Sequence, residues 1–294
     1  ETFRALTSWE GDTLSEGTLL VWTEQGVGDQ ILYASMIHDL KDMAPNIMLA
    51  CTARLVPIFS RSFPFAEVLS QAALKENQDL LRPVVAQVPA GSLGQFLRPS
   101  INSYPSRGAF LHANPKKVLA LRAKYETQFG DTARIGLSWR SANPRFGASK
   151  SMMLDDLKPA LSHPGTTYFD LQYGDTDEER SVFAEETGIE VFRDTDIDAL
   201  IDLEGFAALV ASMDLVITSS NTTAHVAGAL GVPCWTLVPA GPGLLWYWFV
   251  DRSDSPWYPS LRLFRQAFPG DWVPAVQQVS EALSGFLSVR PGSS

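Results

Sequence analysis

Short apolar runs alternate along this chain with stretches in which apolar residues recur every three or four positions. The runs read as buried strands and the spaced residues as helices with one buried face. Thr18–Trp22 (TLLVW) is a strand, followed by a loop over 23–28 and then by Tyr33, Met36, Ile37 and Leu40 at helical spacing. Ile47–Cys51 is a second strand, and Ala53–Arg61 a helix broken early by Pro57. Residues 64–112 hold Pro, Gly and Ser clusters with short runs such as Val84–Val88, so irregular loops are expected there. Pro115 opens a helix that Gly130 closes.

From residue 134 the pattern restarts. Arg134–Trp139 is a strand, 140–151 a loop, Leu154–Leu161 a helix, and Thr167–Leu171 a strand. An acidic helix over Thr176–Thr187 follows, then a helix marked by Leu203, Phe206, Val210 and Met213. Leu215–Thr218 is a strand, Thr222–Leu230 a helix, Cys234–Val238 a strand, and the last helix runs over 272–287. Repeated strand–loop–helix units imply parallel sheets covered by helices, and the restart implies two of them. The expected architecture is α/β, with two Rossmann-like domains, 1–113 and 114–294, whose sheets face a central cleft. Ligands of such sheets bind beyond the carboxyl ends of the strands. There is no repeat period of a solenoid.

The length, 294 residues, fits this division at roughly 150 residues per domain. With 23 Lys+Arg against 33 Asp+Glu the net charge is −10, which argues against nucleic-acid or anionic-membrane binding by bulk charge. An anionic ligand needs a local cation cluster. No stretch reaches the ~20 apolar residues of a membrane helix, and no signal peptide opens the chain. Cys51 and Cys234 lie in apolar runs and read as buried thiols of a reducing, cytoplasmic compartment. The chain opens on Glu1 rather than Met, so a longer protein is expected.

Four segments carry candidate chemistry. In Glu24-Gln25-Gly26-Val27-Gly28-Asp29, glycines follow a strand and precede a helix, which suits close approach to a ligand. A dinucleotide fingerprint needs a third glycine where Ile31 stands, so NAD binding is disfavoured. Asp29 is either a helix cap or a general base. Arg140, Arg145 and Lys150 place three cations in eleven residues, either as a solvated loop or as a diphosphate clamp. Ser219-Ser220-Asn221-Thr222-Thr223-Ala224-His225 offers hydroxyls and helix-start N–H groups to a phosphate, although capping explains one or two of them. His225 alone reads as structural. The aromatics Trp246, Tyr247, Trp248, Trp257 and Tyr258, after Pro239, suit a core or the apolar face of a sugar or base. Gln25, Tyr173, Pro239 and Trp257 are the candidate sugar or base contacts. Asp194-Thr195-Asp196 and Asp175-Thr176-Asp177 have a spacing that some metal-dependent transferases use, but both precede helices, where carboxylates cap. No zinc spacing, Walker loop or Gly-x-Ser-x-Gly occurs, and no metal or cofactor is expected.

Together the segments SWEGDTLSEGTLLVWTEQGVGD, LVPIFSRSFP, RIGLSWRSANP, NTTAHVAGALGVPCWTLVP and SPWYPSLRLFRQ resemble the catalytic part of bacterial glycosyltransferases that follow tetratricopeptide repeats, relatives of the heptosyltransferase family of GT-B fold. The resemblance covers most of the chain, most weakly over 70–112. It implies that Asp29 is the base and that Gly26, Gly28, Arg140, Lys150, Asn221, Thr222, Thr223 and His225 serve the donor. It also implies a last helix that crosses back onto the first domain. Relatives often have an Asp where Ser220 stands, which puts any role of that acid in doubt.

The expected activity is metal-independent, inverting transfer of a sugar from a nucleotide sugar to an acceptor hydroxyl, such as a flagellin-like protein Ser/Thr. The partners implied are that donor, a protein acceptor and a preceding helical-repeat region. Rival readings are a degenerate module that binds a nucleotide sugar or protein without turnover, and a nucleotide-sugar epimerase.

Overall fold

The computed structural model describes residues 3–288. The chain divides into two compact units, Glu1–Ala113 and Asn114–Ser294.

The first unit is built on four parallel strands, β1 (Thr18–Trp22), β2 (Asn46–Cys51), β3 (Ala66–Ser70) and β4 (Val84–Pro89), in the order β3-β2-β1-β4. β1 sits inside the sheet, and its Leu19, Leu20 and Val21 are fully buried, as a strand covered on both faces requires. Its pairing with β4 slips after Thr18, so that Leu19 lies opposite Ala86. Helices α1 (Val27–Ala34), α2 (Val56–Ser62) and α3 (Gln71–Glu76) lie between the strands, and α4 (Leu93–Leu97) follows β4.

Two expectations are corrected here. Pro57 does not break the helix that follows β2; it stands in the first turn of α2, where its missing N–H is no loss. Residues 64–112 are not irregular throughout, because they supply β3 and β4. β3 is an edge strand without a fully buried residue, so its sequence AEVLS shows no apolar run.

The second unit carries six parallel strands: β5 (Ala133–Ser138), β6 (Thr166–Asp170), β7 (Val191–Phe192), β8 (Leu215–Ser219), β9 (Cys234–Val238) and β10 (Leu261–Arg265). Their order is β10-β9-β8-β5-β6-β7. The helices are α5 (Pro115–Phe129), α6 (Gly147–Lys150), α7 (Asp177–Thr187), α8 (Leu203–Ala211), α9 (Thr222–Ala229) and α10 (Val273–Ser288). Asn114 caps α5 by accepting from the N–H groups of Lys116 and Lys117, and Gly130 ends it at φ +71°. The segment Asp155–Ala160 is a 3-10 helix rather than an α-helix, with Pro159 inside it. The buried face of α10 lies in this unit's core, where Val276, Val279 and Leu283 join Ile217, Leu237 and Phe264. Ser280 Oγ also donates to the Pro159 carbonyl. Both cysteines are free and buried.

In each sheet the chain changes direction once. In the first, β1 lies between β2 and β4; in the second, β5 lies between β6 and β8. Loops leaving adjacent strands at such a point diverge and leave a crevice beyond the carboxyl ends. Asp29 follows β1, Arg140 follows β5 and Asn221 follows β8.

Candidate functional site

In the first unit the loop after β1 is held by three amide side chains. Gln30, on α1, accepts from Thr23 Oγ1 at 2.9 Å and from the Thr52 N–H at 3.1 Å, and donates to the Gln25 carbonyl at 3.3 Å. Gln71, on α3, donates to the carbonyl and the hydroxyl of Thr23. Gln87, on β4, accepts the indole N–H of Trp22 at 2.5 Å. The loop so fixed carries Gln25 at φ +66°, a left-handed conformation that a non-glycine residue adopts only when its surroundings impose it.

The Oδ2 atom of Asp29 accepts the Gly26 N–H at 3.2 Å, so this carboxylate does close the first turn of α1. Two ionisable neighbours share the corner. Glu24 is half-buried, and burial pushes its carboxyl above the usual range, with the charge of Arg4 partly offsetting this. Burial, followed by the charges of Asp29 and Glu24, pushes the Tyr33 phenol up to about 12. Gly91, in the loop after β4, lies close beneath both groups. A Cβ there would stand 2.8 Å from Glu24 Oε1 and 3.3 Å from the Tyr33 ring. The sequence marks the segment Glu24–Asp29 as a candidate, whereas Gln30, Tyr33, Gln71 and Gly91 carry no signal that would place them at this corner.

In the second unit the carboxyl ends of β5, β6 and β8 are tied into one network. Gln172 Oε1 accepts from Ser138 Oγ at 3.2 Å and from the N–H groups of Trp139 at 3.0 Å and Arg140 at 2.8 Å. Asn221 caps α9: its oxygen accepts the Thr223 N–H at 2.9 Å and the Thr218 hydroxyl at 3.1 Å. Its amide hydrogens go to Ser138 Oγ at 2.8 Å, the Arg140 carbonyl at 3.0 Å and Ser219 Oγ at 3.3 Å. The side chain that reads in sequence as a ligand contact thus has its bonding capacity used inside the protein. Thr223 is buried and donates to Ser138 Oγ at 3.3 Å, whereas Thr222 is partly exposed.

The three cations of the 140–150 loop have different partners. The Arg140 guanidinium bonds Glu179 at 2.5 Å and the Asp175 carbonyl at 3.2 Å, while Arg145 lies over the Phe146 ring. Glu179 also takes the Trp139 indole N–H and the Leu154 N–H. Lys150 does not lie on a solvated loop. It is 4% exposed, and its ammonium donates to the Ser220 carbonyl at 3.0 Å. Packing of α6 against the turn Gly241–Gly243 turns it inward, where a Cβ on Gly243 would lie 3.2 Å from Lys150 Cγ.

His225 fits the structural reading. It is buried, its Nδ1 pairs with Tyr258 Oη at 2.9 Å, and its ring stacks on Trp248 at 5.3 Å. Burial, aided by the charge of Lys150, pushes it down to about 3, so it is neutral. Tyr173 accepts the Ala142 N–H through its hydroxyl. Trp257 is 6% exposed, beneath Trp246, which is 60% exposed and is therefore the ring this aromatic group presents. The acidic runs serve as caps and ion pairs: Asp194 bonds Lys124 at 2.9 Å and Tyr125 at 2.6 Å, and Asp175 accepts the Asp177 N–H. Among the described residues no three His, Cys, Asp or Glu side chains are grouped to hold a metal ion, and no helix is long and apolar enough to cross a membrane.

No protein-family model matches the chain. Its fold is that of the glycosyltransferases of GT-B type. It aligns with ADP-heptose LPS heptosyltransferase II of E. coli over 92% of this chain and 100% of that one, at TM-score 0.61 and 15% identity. It aligns with a family 9 glycosyl transferase from Veillonella parvula over 96% and 98%, at TM-score 0.63 and 14% identity. With the E. coli heptosyltransferase WaaC bound to ADP the values are 92% and 99%, TM-score 0.55 and 13% identity. In sequence it is 34% identical over 295 residues to Protein FlbA of Caulobacter vibrioides, a match that covers 95% of this chain and 48% of that protein. The chain thus spans about half the length of this curated relative.

Proposed function

We propose that the protein is a glycosyltransferase that moves a sugar from a nucleotide sugar to an acceptor hydroxyl. The observation that carries this reading is the second unit's switch point, where a buried lysine ammonium lies against the turn that opens α9, in a fold shared with heptosyltransferases over more than nine-tenths of the chain. The donor diphosphate would be held there by Lys150 and the start of α9 at Thr222, since a cation and unsatisfied helix N–H groups both stabilise phosphate oxygens. The same groups would stabilise charge on the departing phosphate. Asn221, Thr223, Gln172 and Arg140 act behind them by fixing the loops, and Trp246 is the accessible ring for a base or sugar face. In the first unit Asp29 would take the acceptor's proton as the sugar is displaced with inversion, with no metal ion required. The acceptor proposed is a hydroxyl such as a protein Ser or Thr.

The test is a thermal-shift panel of ADP, UDP, GDP and CMP with their sugars, with and without EDTA. A ligand at 100 times its Kd should stabilise the protein by ~2.7 kcal/mol. No shift with any nucleotide, or a shift abolished by EDTA, counts against the reading. A second reading, a module that binds without turnover, is favoured by the bond from Gly26 to Asp29, which occupies one carboxylate oxygen in capping. Slow release of free sugar from the bound donor separates the two, because an active enzyme leaks transfer to water.

A further inference from the structure

The second unit carries a groove that the switch-point chemistry does not use. Its volume is about 870 Å³, in the range of small-molecule sites, and it follows the edge strand β7. Residues 188–190, ahead of β7, line one end, and Arg193, just past β7, lines the other. Arg180, Ser181 and Ala184 of α7 form a wall. In extended chain Ile189, Val191 and Arg193 alternate onto one face of the strand, and Ile189 and Ala184 are only partly buried there. Apolar surface left half in water gains free energy when a ligand covers it. The charges are uneven as well. Two guanidinium groups flank the fully buried carboxylate of Asp170, with Arg180 Nε 3.3 Å and Arg193 Nη1 3.0 Å from its Oδ2. Arg180 spends its other nitrogens on the Val191 carbonyl and on Asp177. Arg193 bonds Asp170, Thr176 and the Gln172 carbonyl, all through Nη1. Its Nε and Nη2 keep the donor pair that an oxyanion takes side-on. Tyr168, which also lines the groove, is 4% exposed, and its hydroxyl has no hydrogen-bond partner. Thr166 Oγ1, close to it, donates to the His163 carbonyl at 2.6 Å instead. A hydroxyl so withdrawn from water costs folding free energy until an acceptor meets it. The one carboxylate among the lining residues, Glu190, stands at the opposite end of β7 from Arg193.

We propose that this groove binds a small amphipathic acid, with its oxyanion on Arg193 and its apolar body over Ile189 and Ala184. The site lies at the edge of the sheet, two strands from β5, and does not depend on the donor assignment made above. A cation at one end and apolar walls along the rest select a molecule with charge at one end only.

The experiment titrates two dyes that share a ring system, anilinonaphthalene sulfonate and the neutral phenylnaphthylamine, into the wild type, Ser181→Trp and Arg193→Gln, and reads dye fluorescence. The sulfonate should bind the wild type at one saturable site, about tenfold more tightly than the neutral dye, the scale of one hydrogen bond to a charged group. Ser181 is exposed, so Trp in its place should leave Tm nearly unchanged while it fills the groove, and affinity for both dyes should fall about tenfold or more. Arg193→Gln should abolish the preference for the sulfonate and spare the neutral dye. If that variant does not fold, because Asp170 has lost a partner, Arg193→Lys keeps the ion pair and removes the side-on donor pair, and it should lose the same preference. Absence of saturable binding, equal affinity of the wild type for the two dyes, or a preference that persists in the Arg193 variants overturns the proposal. Sulfonate binding that survives Ser181→Trp also overturns it, since the dye then sits elsewhere on the protein.

Discussion

The two switch points solve the problem of presenting polar groups in different ways. Beyond β1 the chemistry is accessible: Glu24 and Asp29 are partly exposed, Gln25 and Gly26 are exposed, and the rigidity comes from Gln30 and Gln71 behind the loop. Beyond β8 the chemistry is sealed: Lys150, Ser220, Asn221, Thr223 and His225 are all buried and, apart from the Ser220 hydroxyl, bonded to one another's elements. In the proposed function, Asp29 would take up and release a proton at a wet edge, and a phosphate would be held where water is excluded and charges are less screened. Substitutions at the first point should therefore change rates and spare stability, whereas those at the second should couple the two.

The largest effect tests the open side. Asp29→Asn keeps the size and most of the capping ability of the side chain but removes its basicity, so kcat should fall by ~10²–10⁴ with donor affinity and Tm nearly unchanged. A kcat within about threefold of wild type would reduce Asp29 to a cap.

Next comes the sealed side's pH dependence. The folded value of His225, about 3, lies below its ordinary value of 6.5. As pH falls from 6.5 toward 3, the unfolded chain takes up a proton that the native protein refuses. Stability from this residue is therefore complete above 6.5 and is lost on acidification, by up to about 1.4 kcal/mol per pH unit. Between pH 6.5 and 5.5, above most carboxylate titrations, the slope of Tm against pH should be flatter in His225→Asn than in the wild type. Equal slopes would mean that His225 is not held neutral by its aromatic enclosure.

Lys150→Met retains the buried stem and removes the charge. It should weaken nucleotide binding by ~1.5–3 kcal/mol, and its Tm should hold or rise, since replacing a buried charge with a packed apolar chain is often neutral or stabilising. Calorimetry and a melting curve on the same sample read both, and a large drop in Tm would contradict the second half. The smallest change contrasts two glycines. At Gly91 an added methyl meets the mobile end of Glu24 and should alter Tm little. At Gly136, inside β5, it lands 2.3 Å from Leu171 Cδ1 and should cost ~1–3 kcal/mol, read from chemical denaturation of the two variants.

The same contrast explains what could be read from sequence. β1, β5, β8 and β9 are nearly or wholly buried along their length, and their mostly apolar sequences stand out. β10 carries two arginines in five residues at an edge of the second sheet, β3 is half-exposed at an edge of the first, and β7 has two residues, so none of them stands out from a loop. The chain divides after Ala113, ahead of α5 and of the second series of strands that begins with β5. At the sites, residue type marked Asp29, Lys150 and the hydroxyl run 219–223, since acids, cations and hydroxyls at strand ends are conspicuous. The glutamines were not legible. Gln71 acts on Thr23 and Gln172 on Ser138, partners 48 and 34 residues away that only the sheet order brings together. Nor was the partner of Arg140, because Glu179 comes from α7, 39 residues on.

The two free, buried thiols offer a practical consequence. Cys51 lies in β2 of the first unit and Cys234 in β9 of the second, each wholly withdrawn from solvent. Burial pushes both up to about 12, so almost no thiolate exists at neutral pH to react with an alkylating dye. The natural chain is therefore silent toward thiol labelling as long as it is folded. A single cysteine introduced at an exposed position of each unit would take a fluorophore without any need to remove the native pair. The distance between two such dyes, followed as nucleotide is added, would test for relative movement without disturbing either core. Labelling of Cys51 or Cys234 would itself mark the moment that its own unit opens, so one reagent can time the unfolding of each unit separately.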